Sequence, residues 1–116
     1  MKVKRYHNII DMSGCKETIG DPKILREFVE TIASTVDMTI IEGPITAQGV
    51  DTNPGFSVLA IIDYSHISIH AFTAHKEILV DVFSCKEYDK EKVIRVCREY
   101  FETEHTEMRQ KEVWWG

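Results

Sequence analysis

The sequence lacks most of the features that announce a function. Its 116 residues hold three cysteines, Cys15, Cys85 and Cys97, with no Cys-x-x-Cys spacing. That odd number, so spaced, excludes a disulfide framework and a thiolate zinc site. Basic residues are outnumbered by acidic ones, 14 to 19, and the formal net charge of −5 is the opposite of what a nucleic-acid face requires. No apolar run approaches the roughly 20 residues of a membrane span. The opening MKVKRYHNIIDMSG reaches Asp11 after only two consecutive isoleucines, too few for a signal-peptide core. Neither a membrane nor a nucleic acid is therefore expected as a partner, and a cytoplasmic location is. Internal repeats and low-complexity segments are missing as well.

With 43% apolar and 28% charged residues the chain reads as globular. Its length predicts one domain over 1–116 that buries about two-thirds of the unfolded surface. Residues Val3 to Met12 alternate weakly and read as a strand closed by Ser13-Gly14. Asp21 as N-cap and Pro22 at the first helical position start a helix whose inner face is Ile24, Leu25, Phe28, Ile32 and Val36. Met38 to Ile41 reads as a short strand, followed by a long Gly-, Pro-, Asn- and Asp-rich loop, GPITAQGVDTNPG. Three strands come next, Phe56 to Ile62, Ile67 to Phe72 and Ile78 to Phe83. Asp89 caps a second helix, which buries Val93, Ile94, Val96, Cys97, Tyr100 and Phe101. The tail TEMRQKEVWWG is ambiguous, and its Trp114-Trp115 pair, costly to leave in water, is expected to pack on the domain or on a partner. The expected class is α+β, a two-layer sandwich with an antiparallel sheet and both helices on one face.

The stretch DYSHISIH, residues 63–70, carries two histidines and two serines in a strand-like pattern. Alternation puts Ile67, Ile69 and Ala71 on one face and His66, Ser68, His70 and Phe72 on the other. On periodicity alone a histidine there is a hydrogen-bonded surface residue. His66, His70 and His75 lack nearby carboxylate or thiolate partners, so no metal site is expected.

Spacing over a longer range is more specific. Ser57, Ser65, His70 and Cys85, set in FSVLAIIDYSHISIHAFTAHKEILVDVFSC, resemble the prokaryotic S-adenosylmethionine decarboxylase proenzymes. That family has a serine followed by His-Leu-x-Ile-His and then Val-Asp-Val-Phe-x-Cys. HNIIDMSGC is similar to its His-x-x-x-acid-x-x-Gly-Cys opening, and the likeness runs to about the second helix.

The resemblance implies a zymogen that cuts its own backbone between Tyr64 and Ser65, leaving chains 1–64 and 65–116. Ser65 attacks the Tyr64 carbonyl, Ser57 assists, and His70 removes the Ser65 α-proton, so that a pyruvoyl group is generated from Ser65. That cofactor forms a Schiff base with the substrate amine and takes up the electrons released with carbon dioxide. Cys85 matches the proton donor, and thiols hold their proton at neutral pH. Cys15, at the family's Gly-Cys position, receives no role beyond packing, and Asp11 is either structural or lines the pocket. Without the resemblance, Cys85 reads as a buried cysteine at a strand end. The implied pathway is polyamine, including spermidine, biosynthesis, and the implied assembly is a homodimer in which recognition loops of one protomer approach the pyruvoyl of the other.

Departures fall at the substrate positions. Tyr64 stands where the family has glutamate. The adenine-stacking aromatics correspond to Asp51 and Phe72 and the ribose-binding glutamate to Ala74, so only Phe72 is kept. One lost stacking face is worth about 1 kcal/mol and one lost carboxylate acceptor roughly 1.5–3 kcal/mol. S-adenosylmethionine is the leading substrate. L-arginine or L-ornithine, which other members use, is the alternative, since Asp51 suits a cationic tail. A relative that no longer cleaves and serves as a binding or partner subunit is the third reading.

Overall fold

The computed structural model describes residues 4–115, with the side chain of Trp115 outside the description. Val3, the expected start of the first strand, also lies outside the described residues. The elements run β1 (Arg5–Ser13), a 3-10 turn (Glu17–Gly20), α1 (Pro22–Thr35), β2 (Ile40–Val50), β3 (Asn53–Ile62), β4 (Ser65–Phe72), β5 (Glu77–Ser84), α2 (Lys90–Phe101) and β6 (Glu107–Trp115). All pairings are antiparallel, in the order β2-β3-β4-β5-β1-β6. This is the expected α+β sandwich. No helix among the described residues is long and apolar enough to cross a membrane.

Both helices begin where their caps direct. The Asp21 side chain accepts from the Lys23 N–H at 2.9 Å with Pro22 at the first position, and Asp89 accepts from the Glu91 N–H at 3.0 Å. Their apolar stripes meet the inner face of the sheet. Leu25, Phe28, Val29 and Ile32 of α1 and Val93, Cys97 and Phe101 of α2 are buried with Ile10, Met12, Val58, Ile67, Ile69, Val80 and Val82. Phe28 bridges the helices, its ring 5.0 Å from Phe101 and 5.4 Å from Tyr100. Cys97 is buried in α2, and burial pushes its thiol up to about 12. Cys15 packs in the same core, and burial pushes it up to about 11.

One expectation is corrected, and one ambiguous segment is assigned. Residues 43–55 do not form a long loop, because Ile40–Val50 and Asn53–Ile62 are the arms of a hairpin closed by residues 51–52. Pro44 is tolerated because β2 is an edge strand whose register shifts between Glu42 and Ile45, where a missing N–H leaves no ladder bond unmade. The tail, ambiguous in sequence, is the other edge strand, β6, paired with β1 from Arg5↔Trp115 to Ser13↔Glu107. Its exposed Arg109, Lys111 and Glu112 suit a strand with an open side. Trp114 stays about half exposed, with the Lys4 ammonium 5.4 Å from its ring centre.

Candidate active site

The face of the sheet away from the helices carries the polar residues of β3 and β4. The turn between these strands has two residues, Asp63 and Tyr64, so the register runs from Ile62↔Ser65 to Ser57↔His70. Directly opposed residues bring their Cβ atoms within about 5.5 Å. Ser57 Oγ and His70 Nδ1 consequently hydrogen-bond at 2.7 Å. The His70 ring lies nearly parallel to Phe72, 6.5 Å away, and is exposed.

Two-residue hairpins favour turns with positive φ at their central residues. Neither Asp63 nor Tyr64 has it, and the irregularity emerges one residue later, at Ser65, with φ 148°. A serine held there carries on the order of 1–3 kcal/mol of backbone strain. β4 pairs next with β5, in register Ser65↔Ser84, which places Cys85 beside the turn. The Cys85 N–H donates to the Tyr64 carbonyl oxygen at 3.0 Å. Cys85 is exposed, unlike the buried strand-end cysteine that the residue pattern alone suggests.

The predicted catalytic and cleavage residues thus fall into two groups, Tyr64 and Ser65 with Cys85, and Ser57 with His70. Ser65 of the first group and both residues of the second line one shallow concavity of about 700 Å³, together with Ser68 and the apolar Ile45, Leu59 and Ile61. The groups do not meet within one chain. Five residues of extended strand, roughly 16 Å, separate Ser65 from His70. The other expected positions lie further off. Asp51 is in the turn at the opposite end of β3, roughly 30 Å from Ser65 along the strand. Phe72 ends β4, and Ala74 is exposed in the β4–β5 turn.

Sequence reasoning missed a second cluster on the same face. His7 Nε2 and Asp81 Oδ1 are 2.5 Å apart, His7 meets Phe83 edge-on at 5.0 Å, and His66 stacks on the other flank of Phe83 at 5.4 Å. Only the likeness of HNIIDMSGC to the family's opening hinted at His7, and nothing marked Asp81. Asp11, open in the sequence between a structural and a pocket-lining part, forms an ion pair with Arg109 of β6.

Comparison with known proteins gives a consistent result. The family model described as S-adenosylmethionine decarboxylase matches residues 6–112. A Clostridium botulinum (strain Loch Maree / Type A3) S-adenosylmethionine decarboxylase proenzyme is 32% identical over 101 residues, 85% of this chain and 84% of that protein. An arginine decarboxylase proenzyme of Caldivirga maquilingensis is 29% identical over 72 residues, 62% of this chain and 54% of its own. The crystal structure of the adenosylmethionine decarboxylase from Aquifex aeolicus VF5 superposes with a TM-score of 0.77 at 21% identity, covering 96% of this chain and 91% of that one. At that identity the likeness concerns the fold.

Proposed function

The chain belongs to the S-adenosylmethionine decarboxylase family, and from that premise we propose that it is a self-cleaving, pyruvoyl-dependent decarboxylase acting on S-adenosylmethionine. The observation that carries this reading is the Tyr64–Ser65 peptide. A strained serine follows a carbonyl already held by the Cys85 N–H.

Ser65 Oγ attacks the Tyr64 carbonyl carbon, and the negative charge on Tyr64 O is received by the Cys85 N–H, a type of donor worth about 10²–10³ in rate. Breakage of the C–N bond leaves Tyr64 joined to Ser65 Oγ as an ester, with the hydroxyl proton passed to the freed amine. The elongated product releases the strain at Ser65. A base then takes the Ser65 α-proton, the Cβ–Oγ bond breaks, and Tyr64 departs as a carboxylate. The dehydroalanine left behind takes up one water, loses ammonia and becomes the pyruvoyl group.

His70 suits the role of base. In the tautomer whose Nδ1–H donates to Ser57 Oγ, the Nε2 lone pair is free to accept a proton, and the bond to Ser57 holds the ring in place. The separation of roughly 16 Å along β4 requires that the His70 acting on Ser65 come from a second copy. A two-fold homodimer packed on this face satisfies it, because isologous contact brings each chain's Ser57/His70 end to the other's Ser65 end. The half-exposed Ile45, Leu59 and Ile61 favour the same packing, at about 1 kcal/mol for each side chain whose remaining surface is covered. Asp51, Phe72 and Ala74 lie at the end that would reach the partner's Ser65.

The residues around Ser65 fit the pyruvoyl group. Cys85 is exposed at the same end of the sheet, one residue beyond Ser65's partner Ser84. The group supplies an electron sink for the pair left when the carboxylate departs. The Cys85 thiol holds the proton for the substrate carbon.

Arginine or ornithine is the second reading for the substrate, favoured by the acid at position 51 and by the Caldivirga relative's printed activity. The test is the intact mass of the purified chain under denaturing conditions, then carbon dioxide release from each substrate. Two fragments meeting at residue 65, the second bearing a pyruvoyl group, are expected, with fastest release from S-adenosylmethionine. A single full-length mass would overturn the reading in favour of a non-processing partner subunit.

A further inference from the structure

Tyr64, the residue before the cleaved bond, is about two-fifths exposed, yet the turn that carries it is tied down on several sides. The Asp63 N–H donates to the Thr39 carbonyl at 2.9 Å, and the Thr39 N–H returns a bond to Asp63 Oδ1 at 3.1 Å. The Lys86 ammonium lies 5.3 Å from the centre of the Tyr64 ring and donates to the Asp37 carbonyl at 3.0 Å. The Lys86 backbone is fixed in turn. The fully buried Ser84 hydroxyl accepts from the Lys86 N–H and donates to the Lys86 carbonyl, both at 2.8 Å.

We infer that Lys86 is a positioning residue for self-cleavage, a clamp that holds Tyr64 from the connection between α1 and β2. The chemistry is a cation over an aromatic face, with the cation's position set by a main-chain acceptor. The clamp and the Cys85 N–H are adjacent in sequence and grip the ring and the carbonyl of the same residue. Free movement of Tyr64 would let Ser65 relax out of its strained φ and carry the carbonyl away from its donor. The inference rests on the proposed cleavage between Tyr64 and Ser65. It also gives Tyr64 a purpose, since an aromatic ring is what a lysine clamp can grip.

The experiment follows cleavage of the freshly translated full chain, in a cell-free system, by denaturing gel and intact mass. Lys86→Ala is expected to slow cleavage about fivefold, as for loss of a partly exposed cation–aromatic contact, and Lys86→Arg to restore the rate to within about twofold. Tyr64→Leu slows it similarly, and Lys86→Ala with Tyr64→Leu is no slower than the worse single variant, because both remove one contact. Hydroxylamine, which cuts the ester, releases less fragment from Lys86→Ala at each early time point, because ester formation is the step affected. Melting is compared in a Ser65→Ala background, where no cleavage intervenes. Should Lys86→Ala fold poorly there, the ring side carries the test, with Tyr64→Phe expected to cleave about fivefold faster than Tyr64→Leu.

Cleavage of Lys86→Ala at the unmutated rate, failure of arginine to rescue, or additive slowing in the double variant would overturn the clamp while leaving the cleavage reading intact. An unmutated chain that never cleaves would remove that reading, and the clamp with it.

Discussion

β3 ends in two-residue turns at both ends, and the two are built differently. At the Asp51–Thr52 end the positive φ falls on a glycine, Gly55 at 138°. At the Asp63–Tyr64 end it falls on Ser65 at 148°. A Cβ at Gly55 would meet the Ala71 carbonyl oxygen at 1.9 Å, so that position is shaped for close backbone approach. Ser65 accepts the strain and keeps a hydroxyl. The contrast teaches that an unusual backbone angle serves packing where glycine supplies it at little cost, and points to chemistry where a reactive side chain occupies it.

The sharpest way to break this comparison is to exchange what the two turns carry. Ser65→Ala is expected to abolish cleavage, leaving one full-length mass and no carbonyl reactive to hydroxylamine or borohydride. Ser65→Gly should also remain whole, and by relieving the strained φ should gain about 1 kcal/mol of unfolding free energy over Ser65→Ala in urea titration. Equal stability of these two would mean that Ser65 is not strained.

His70→Ala is the next largest effect. Loss of the base should slow fragment formation by about 10²–10³ while hydroxylamine-sensitive ester accumulates, whereas Ser57→Ala should slow it about tenfold through the unanchored ring. A Ser57→Ala chain processed at full speed would count against the Ser57–His70 pair as a unit.

Gly55→Ala tests the other turn and should leave the chemistry at Ser65 alone. With a forced clash and a φ that alanine avoids, it is expected to lose about 3 kcal/mol or more of stability by urea unfolding in the Ser65→Ala background. A loss below about 1 kcal/mol would show that the Gly55 end is not tightly shaped.

The smallest expected effect concerns substrate choice. Asp51→Phe restores an aromatic at the adenine-stacking position and should raise kcat/KM for S-adenosylmethionine about fivefold, the equivalent of ~1 kcal/mol. A drop in activity on arginine with no gain on S-adenosylmethionine would favour the second substrate reading.

Much of this was legible in the sequence, for reasons that differ by element. α1 and α2 announce themselves because Asp21, Pro22 and Asp89 meet a local demand of helix ends and the apolar spacing meets the sheet. β2 and β6 are obscured because edge strands bury little on either face. Their composition answers to solvent and to keeping an open edge from pairing with other chains rather than to a core, so Gly43, Pro44 and Gly49 read as loop. In the candidate site, Ser57, Ser65, His70 and Cys85 are singled out by a family pattern. The Ser57–His70 bond also follows from the register of a two-residue turn once both strands are assigned. His7 with Asp81, and Lys86 with Tyr64, depend on contacts between distant strands and loops. No local periodicity encodes them.

The strand order has one more consequence. Residues 1–64 supply β1, α1, β2 and β3, and residues 65–116 supply β4, β5, α2 and β6. Because the sheet runs β2-β3-β4-β5-β1-β6, the first segment grips the second twice, along the β3–β4 seam and where β1 is threaded between β5 and β6. A chain cut at residue 65 is therefore two interlaced polypeptides, and neither can leave without tearing open three rows of ladder hydrogen bonds. A break there would cost the molecule a covalent link, not its cohesion.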